Sequence, residues 1–162
     1  MARYAAACAR PALAIFESDR ANDGRPRAAI EAAEGFATGE RRGKKIRDCA
    51  WGAQRAAREI RDTGLASASE AARAASAAAG AAFLHPIPKA TQVKHILGAA
   101  AHAARAFELK AGGAAAAAAE HIRRAQVLAS PVVVRVLRRY PDAPSGGERV
   151  GELIRQLEAE LR

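Results

Sequence analysis

Apolar residues recur every three or four positions along most of this chain, which is the spacing of one face of an amphipathic helix. The pattern is clearest near the C-terminus, where Leu153, Ile154 and Leu157 fall on one side. The valines within residues 131–139 could instead form a strand, but a lone strand has no partner in this sequence. We therefore predict seven or eight helices and no sheet, packed as a single compact all-α bundle over residues 1–162. The predicted helices cover residues 2–18, 26–38, 42–62, 67–84, 89–113, 114–129, 131–139 and 148–161.

The segment from Lys89 to Gly113 is predicted to be the central helix of the bundle. Pro88 stands before its start, and paired glycines mark its end. The segment is long enough to contact several neighbouring helices. One face of it carries four apolar residues: Ile96, Ala100, Ala103 and Phe107.

A polar strip lies beside that apolar face, formed by His95, Gly98, His102 and Arg105 at helical spacing. The two histidines are seven residues apart, so their rings lie about 10 Å apart along the helix axis. That distance is too long for one metal ion without a ligand from another element, and we predict no metal site. We expect Gly98 to pack on a neighbouring helix while the polar side chains lie at the edge of a groove.

Prolines and capping residues mark several of the predicted helix ends. Pro11 lies inside the first helix and should kink or divide it, whereas Pro26 suits the first position of the second. Ser67 and Glu70 have the spacing of a capping box at the start of the fourth helix. Trp51, near the boundary of the apolar face of the third helix, is expected to cover the edge of that face.

Charge is concentrated at the start of the second helix. Asp23 can accept hydrogen bonds from free backbone N–H groups there and pair with an arginine. Arg27 and Glu31 are four residues apart and are predicted to pair along the helix. These residues either fix the turn that orients the helix or form an exposed corner that a partner recognises.

Half of the residues are apolar but only 4% are aromatic, and alanine supplies most of the apolar total. Alanine buries little area, so the predicted core must gain stability from close helix packing rather than from large side chains. Two cysteines, Cys8 and Cys49, are too few for a disulfide framework, and we expect reduced thiols in a cytoplasmic protein. We predict neither a signal peptide nor a membrane-spanning segment.

The formal net charge is +9, which attracts anionic partners such as nucleic acid, an acidic protein surface or lipid head groups. Codon usage that favours arginine gives the same total on solvated helix faces, so the charge alone does not choose among them. Two basic runs, Arg41–Arg47 and the group Arg135, Arg138 and Arg139, could follow a phosphate backbone. Neither run contains the interleaved aromatic residues that stack on bases, and nucleic-acid binding is kept as an alternative.

Catalytic motifs are not found in the sequence. It contains no nucleophile elbow, no HExxH motif and no phosphate-binding loop. We predict a protein that is not an enzyme and that needs no cofactor. An unrecognised enzyme would instead require an apolar pocket on which histidine or cysteine side chains converge.

Three stretches in the same order resemble one family of proteins. They begin at Ile15, Val93 and Val134, and read IFE with DGRPRAAIEA, VKHILGAAAHA, and VRVLRRYP. They resemble the Imm-five-like immunity proteins of bacterial polymorphic toxin systems, and the likeness spans most of the chain.

That resemblance implies an all-helical cytoplasmic protein that binds and neutralises a cognate toxin by stoichiometric occlusion. Because this chain is strongly basic, the recognised toxin surface should be acidic, or the interface should be mainly apolar. The oligomeric state stays open. The residues predicted to contact the partner are exposed charged positions and the polar strip: Asp23, Arg25, Arg27, His95, His102 and Arg105.

Overall fold

A computed structural model describes all residues from Met1 to Arg162. The chain forms nine α-helices and no strands, so the predicted all-α class is confirmed. Three short 3₁₀ turns, at Arg10–Ala12, Ala81–Phe83 and Ala90–Gln92, extend or join helices. The helices are α1 Ala2–Ala9, α2 Leu13–Asp19, α3 Arg25–Ala37, α4 Lys44–Ile60, α5 Ala66–Gly80, α6 Val93–Lys110, α7 Ala115–Leu128, α8 Pro131–Leu137 and α9 Glu148–Leu161.

The first predicted helix is divided at Pro11, as its sequence indicates. Proline has no N–H to donate and its ring clashes with the preceding turn, so the chain tightens into the 3₁₀ turn between α1 and α2. If α1 and α2 are counted as one kinked helix, which we call the N-terminal rod, the bundle contains eight helices. The bounds of α9 are those predicted, whereas α6 begins four residues after Lys89 because a 3₁₀ turn precedes it.

The predicted capping box at the start of α5 is wrong. The helix begins at Ala66, one residue before Ser67, and no side chain caps it. Ser69 instead donates its hydroxyl to the carbonyl of Ala57 on α4, at 2.8 Å. Glu70 is consequently free to bind side chains of α6.

Two antiparallel helices, α5 and α6, form the centre of the bundle. The sequence indicates this role for α6, and α5 shares it, packing on α1, α2, α3, α4 and α6. Helix α6 also packs on α1, α7 and α9. Helices α4 and α9 therefore flank opposite sides of the central pair.

The buried apolar residues form two clusters of different composition, and α6 contributes to both. The first cluster joins α1 to α5 and contains 28 residues, of which 22 are alanine. The second joins α6 to α9 and contains 18 residues, of which only five are alanine. Close helix approach thus dominates the N-terminal part, and larger aliphatic side chains fill the C-terminal part.

A small polar group is buried in the second cluster, where α1 meets α7. The His121 ring lies beside the backbone of Cys8, and its centroid lies 5.1 Å from that of Phe107. Burial lowers the pKa of His121 to about 4. Burial also raises the pKa of the Cys8 thiol to about 12, so the thiolate that nucleophilic chemistry needs is disfavoured.

Stability should fall between neutral and mildly acidic pH because of His121. An unfolded histidine binds a proton below about pH 6.5, whereas the folded pKa is about 4, so the unfolded state binds more protons across that interval. The expected loss between about pH 7 and about pH 5 is about 2 kcal/mol. Urea titrations across this range should show it, and His121→Phe should flatten the dependence.

The matched control for this measurement is His85→Gln, since the His85 residue is exposed. This variant should keep the wild-type dependence on pH. An equal slope in wild type and His121→Phe would mean that the buried imidazole is not the source.

Candidate functional site

A groove of about 980 Å³ opens on the outer side of the central helix pair. Helices α5 and α6 form its floor. Helix α4 forms one wall, and residues 143–147 with the first turn of α9 form the other. The groove therefore runs along three helices that pack on one another, which fixes its shape.

The α4 wall presents residues that recur at steps of four and three. From Arg47 to Arg61 this stripe is about 21 Å long, from 14 steps of the helical rise. Trp51 is 55% exposed on this stripe, so the expectation that it covers the edge of the core is wrong. Small residues already pack α4 on α5, and the indole is left at the groove. The stripe consists of Arg47, Trp51, Gln54, Arg58 and Arg61.

The floor is close-packed through glycine and alanine. A Cβ built on Gly98 would lie 3.9 Å from the Cβ of Ala77 on α5, and one on Gly80 would lie 3.7 Å from Nδ1 of His95. Gly98 thus packs on a neighbouring helix, and His95, His102 and Arg105 line the groove, as the spacing predicts. The spacing at Gly98 is ordinary van der Waals contact, so an alanine would also fit there.

A carboxylate on α5 links a histidine and an arginine of the floor. Nδ1 of His102 lies 2.6 Å from Oε2 of Glu70, and Nε of Arg73 lies 3.6 Å from Oε1. All three side chains are mostly buried, so their positions are restricted. This contact joins α5 to α6 directly below the opening of the groove.

A second carboxylate anchors α9 to α6. Glu108 is 3% exposed and accepts hydrogen bonds from Arg105 and from Arg149, with shortest distances of 2.8 Å in each case. The Arg149 guanidinium lowers the pKa of the Glu108 carboxyl, with a further contribution from Arg105. The two arginines therefore stand at the groove with their positions fixed from beneath.

Residues 143–147 are held against α9 by three hydrogen bonds. Ala143 N–H donates to Glu158 at 2.9 Å, and Arg155 donates to the carbonyls of Pro144 and Gly146 at 3.2 and 2.8 Å. Gly146 and Gly147 both have left-handed backbone angles, with φ of 83° and 79°. Two glycines at that turn let the chain reverse tightly into α9.

The groove is strongly basic. Seven cationic side chains line it against two carboxylates, Glu70 and Glu148. Three of the cations, Arg47, Arg58 and Lys94, make no ion pair within the chain, and the other four do. The paired cations are Arg61, Arg73, Arg105 and Arg149.

Comparison with known families assigns this helical chain to one of them. A family model described as Imm-5 like putative immunity protein matches residues 1–130. The chain belongs to the Imm-5 like family. The family named from the sequence motifs is therefore confirmed. No curated protein and no solved structure matches the chain.

The family match covers α1 to α7, which include the floor of the groove and the α4 wall. Helices α8 and α9, and with them the second wall, lie beyond the matched residues. The site of this Imm-5 like protein is thus assembled from the family region and from the segment that follows it.

The other sequence-predicted residues of this Imm-5 like chain lie outside the groove. Asp23 accepts from the backbone N–H of Arg25 at 3.2 Å and from its guanidinium at 2.7 Å, which lowers the pKa of Asp23. Arg25 also contacts Glu59 on α4. The structure therefore uses this corner to fix α3 on α4, and its role in partner binding stays a prediction.

The predicted pair between Arg27 and Glu31 is not formed. Arg27 instead makes two hydrogen bonds of 2.8 Å to Glu17 on α2. A bidentate contact to a neighbouring helix holds the guanidinium better than a flexible partner on the same helix would. The contact ties α3 to the kinked N-terminal rod.

The two basic runs do not form one surface in the groove, since only Arg47 of these residues lines it. Lys44 pairs with Asp48, and the Arg42 guanidinium lies 5.7 Å from the centre of the Phe83 ring. Arg135 and the arginines after it belong to α8 and the turn that follows.

The side chains that could support catalysis do not form one cluster. His95 and His102 do converge on the groove, but neither cysteine lines it. The serines of the groove floor, Ser69 and Ser76, donate to the carbonyls of Ala57 and Ala50. No group of three or more histidine, cysteine or acidic residues is placed to hold a metal ion. None of the helices combines the length and apolar character needed to cross a membrane.

Proposed function

We propose that this protein binds a cognate toxin of a bacterial polymorphic toxin system and neutralises it by stoichiometric occlusion, without catalysis. The observation that carries the proposal is membership of the Imm-5 like family over residues 1–130. In this proposal the protein acts in the cytoplasm, where Cys8 and Cys49 remain the free thiols seen in the structure.

The form of the groove supports this function. Its floor and walls are made by helices that are fixed to one another through the contacts of Glu70 and Glu108, so little ordering is needed on binding. Exposed arginines and a tryptophan are the side chains that most often dominate protein interfaces. We assign partner binding to the groove residues His95, His102 and Arg105, and secondarily to the corner formed by Asp23, Arg25 and Arg27.

A basic helical domain that binds nucleic acid is the alternative function. The seven cations of the groove are the observation that favours it. Its affinity should fall steeply as salt rises, because phosphate binding releases counterions. Binding that survives moderate salt would instead indicate recognition by shape and apolar contact.

The test uses the toxin encoded beside this gene. Co-expression should restore growth of cells that the toxin alone arrests, and the two proteins should co-purify as an equimolar complex measured by light scattering. A growth arrest that persists, together with no complex for any toxin encoded nearby, would contradict the proposal. A complex that forms only with added nucleic acid would favour the alternative.

A further inference from the structure

We propose that the groove binds an acidic amphipathic helix of the partner protein, whose carboxylates contact the α4 wall and whose apolar face lies on the floor. The identity of the partner as a toxin rests on the function proposed above. The chemistry of the occupant rests on the groove itself.

The unpaired cations define where the carboxylates would bind. Arg47 and Arg58 lie on either side of Trp51 on one stripe of α4, and all three are exposed. Lys94 stands across the groove on α6 and is also exposed. Since no acidic group of this chain neutralises these cations, carboxylates supplied from outside would form new charge-assisted hydrogen bonds.

The floor is suited to a helix that carries small or aliphatic residues on its inner face. Little side-chain volume fills the floor at Ala77, Gly80 and Gly98, so another helix can approach closely. Apolar surface at the α9 side comes from Val150 and Ile154. The α4 stripe is about 21 Å long, which matches a helix of about 14 residues. No strand edge is present to pair with an extended segment, so a helix in the groove is the recognition mode that fits.

Two features favour an acidic protein over nucleic acid as the occupant. Four of the seven cations already pair with carboxylates of this chain. Trp51 is the only tryptophan and one of two aromatic residues in the lining, which gives no series of stacking platforms for bases.

Because the chain has one tryptophan, its fluorescence reports directly on the groove. The probe is a synthetic helical peptide of about 14 residues with glutamates on one face and leucines and alanines on the other. It contains no tryptophan or tyrosine. Titration with the peptide should shift Trp51 emission to shorter wavelength, and the affinity for the peptide should fall as salt rises. A peptide with every glutamate replaced by glutamine should not bind.

Paired charge reversals locate the binding surface. Arg47→Glu with Arg58→Glu removes two cations of the groove that make no ion pair within the chain. The matched control, Arg135→Glu with Arg139→Glu, makes the same change in net charge at exposed positions on and after α8 that likewise make no ion pair. The groove variant should bind the acidic peptide and the toxin at least about tenfold more weakly, and the control should bind both as the wild type does.

Each outcome separates the two proposals. A toxin that binds the wild type and the groove variant equally would overturn the acidic-helix inference and leave the proposed function standing. Peptide binding that requires Arg47 and Arg58, without binding to any toxin, would support the inference and count against the proposed function. A single-stranded oligonucleotide that displaces the peptide and binds more tightly would overturn the inference in favour of nucleic acid.

Discussion

Replacing Phe16 with alanine should lower the free energy of unfolding by about 3–5 kcal/mol, the range for truncating a buried aromatic side chain. Phe16 lies on α2, is 0% exposed and is the largest of the fully buried side chains. It belongs to the first cluster, which joins the kinked N-terminal rod to α3, α4 and α5. Chemical denaturation would measure the loss as a lower midpoint concentration of denaturant, with the slope of the free energy of unfolding against denaturant unchanged.

The surroundings of Phe16 should place the cost in the upper part of that range. Of the 28 residues in its cluster, 22 are alanines, whose methyl groups have no alternative rotamers. Such neighbours cannot turn into the space that the ring leaves, so the cavity would persist and add to the lost transfer free energy.

Two further variants test whether the rigid alanine neighbours of Phe16 set the cost of truncation. Leu157→Ala, in the second cluster with its larger and more adaptable neighbours, should cost about 2–4 kcal/mol. Phe16→Leu keeps most of the volume and should cost about 1.5 kcal/mol or less. If Phe16→Ala proved less costly than Leu157→Ala, rigid alanine surroundings would not be what governs stability here.

The helices were predictable because their signals are local. Apolar spacing defines α9 to the residue, and Pro11 and Pro26 mark a kink and a helix start through the loss of an N–H and a fixed φ. The capping box predicted at Ser67 does not form, because a helix can begin one residue earlier when tertiary contacts give its polar side chains other partners. Ser69 and Glu70 bind Ala57 and His102 instead.

The floor of the groove could be anticipated in part, and its walls could not. The strip from His95 to Arg105 is predictable because all its residues lie on one helix. Helix α4 carries an equally regular stripe, but the usual burial of large apolar side chains predicts Trp51 at the edge of the core. Its exposure follows from packing between α4 and α5, which one sequence does not specify.

The second wall has no periodic signal at all. Residues 143–147 read only as a loop rich in proline, glycine and serine. Their position depends on Arg155 and Glu158, which reach back from later turns of α9. Ion pairs between helices, such as Arg27 with Glu17, have the same origin, because their partners are neighbours only after the helices have packed.

Replacing Gly151 with alanine should destabilise the protein by about 3 kcal/mol, the upper end of the usual cost of overpacking. A Cβ at this position would lie 1.9 Å from the carbonyl oxygen of Gly146 and 2.9 Å from its carbon. The obstacle is backbone, so a rotamer change cannot relieve it. Residues 143–147 would have to leave the face of α9, which would break the contacts from Arg155.

The matched control is Gly24→Ala, because the Cβ there meets nothing within 4 Å and φ is −78°. This variant should change stability by no more than about 0.5 kcal/mol. Since the displaced segment is a wall of the groove, Gly151→Ala should also weaken binding of the acidic peptide. Trp51 fluorescence would measure this at a temperature where the variant is folded. A variant with wild-type stability and wild-type peptide affinity would show that this wall yields freely and does not shape the site.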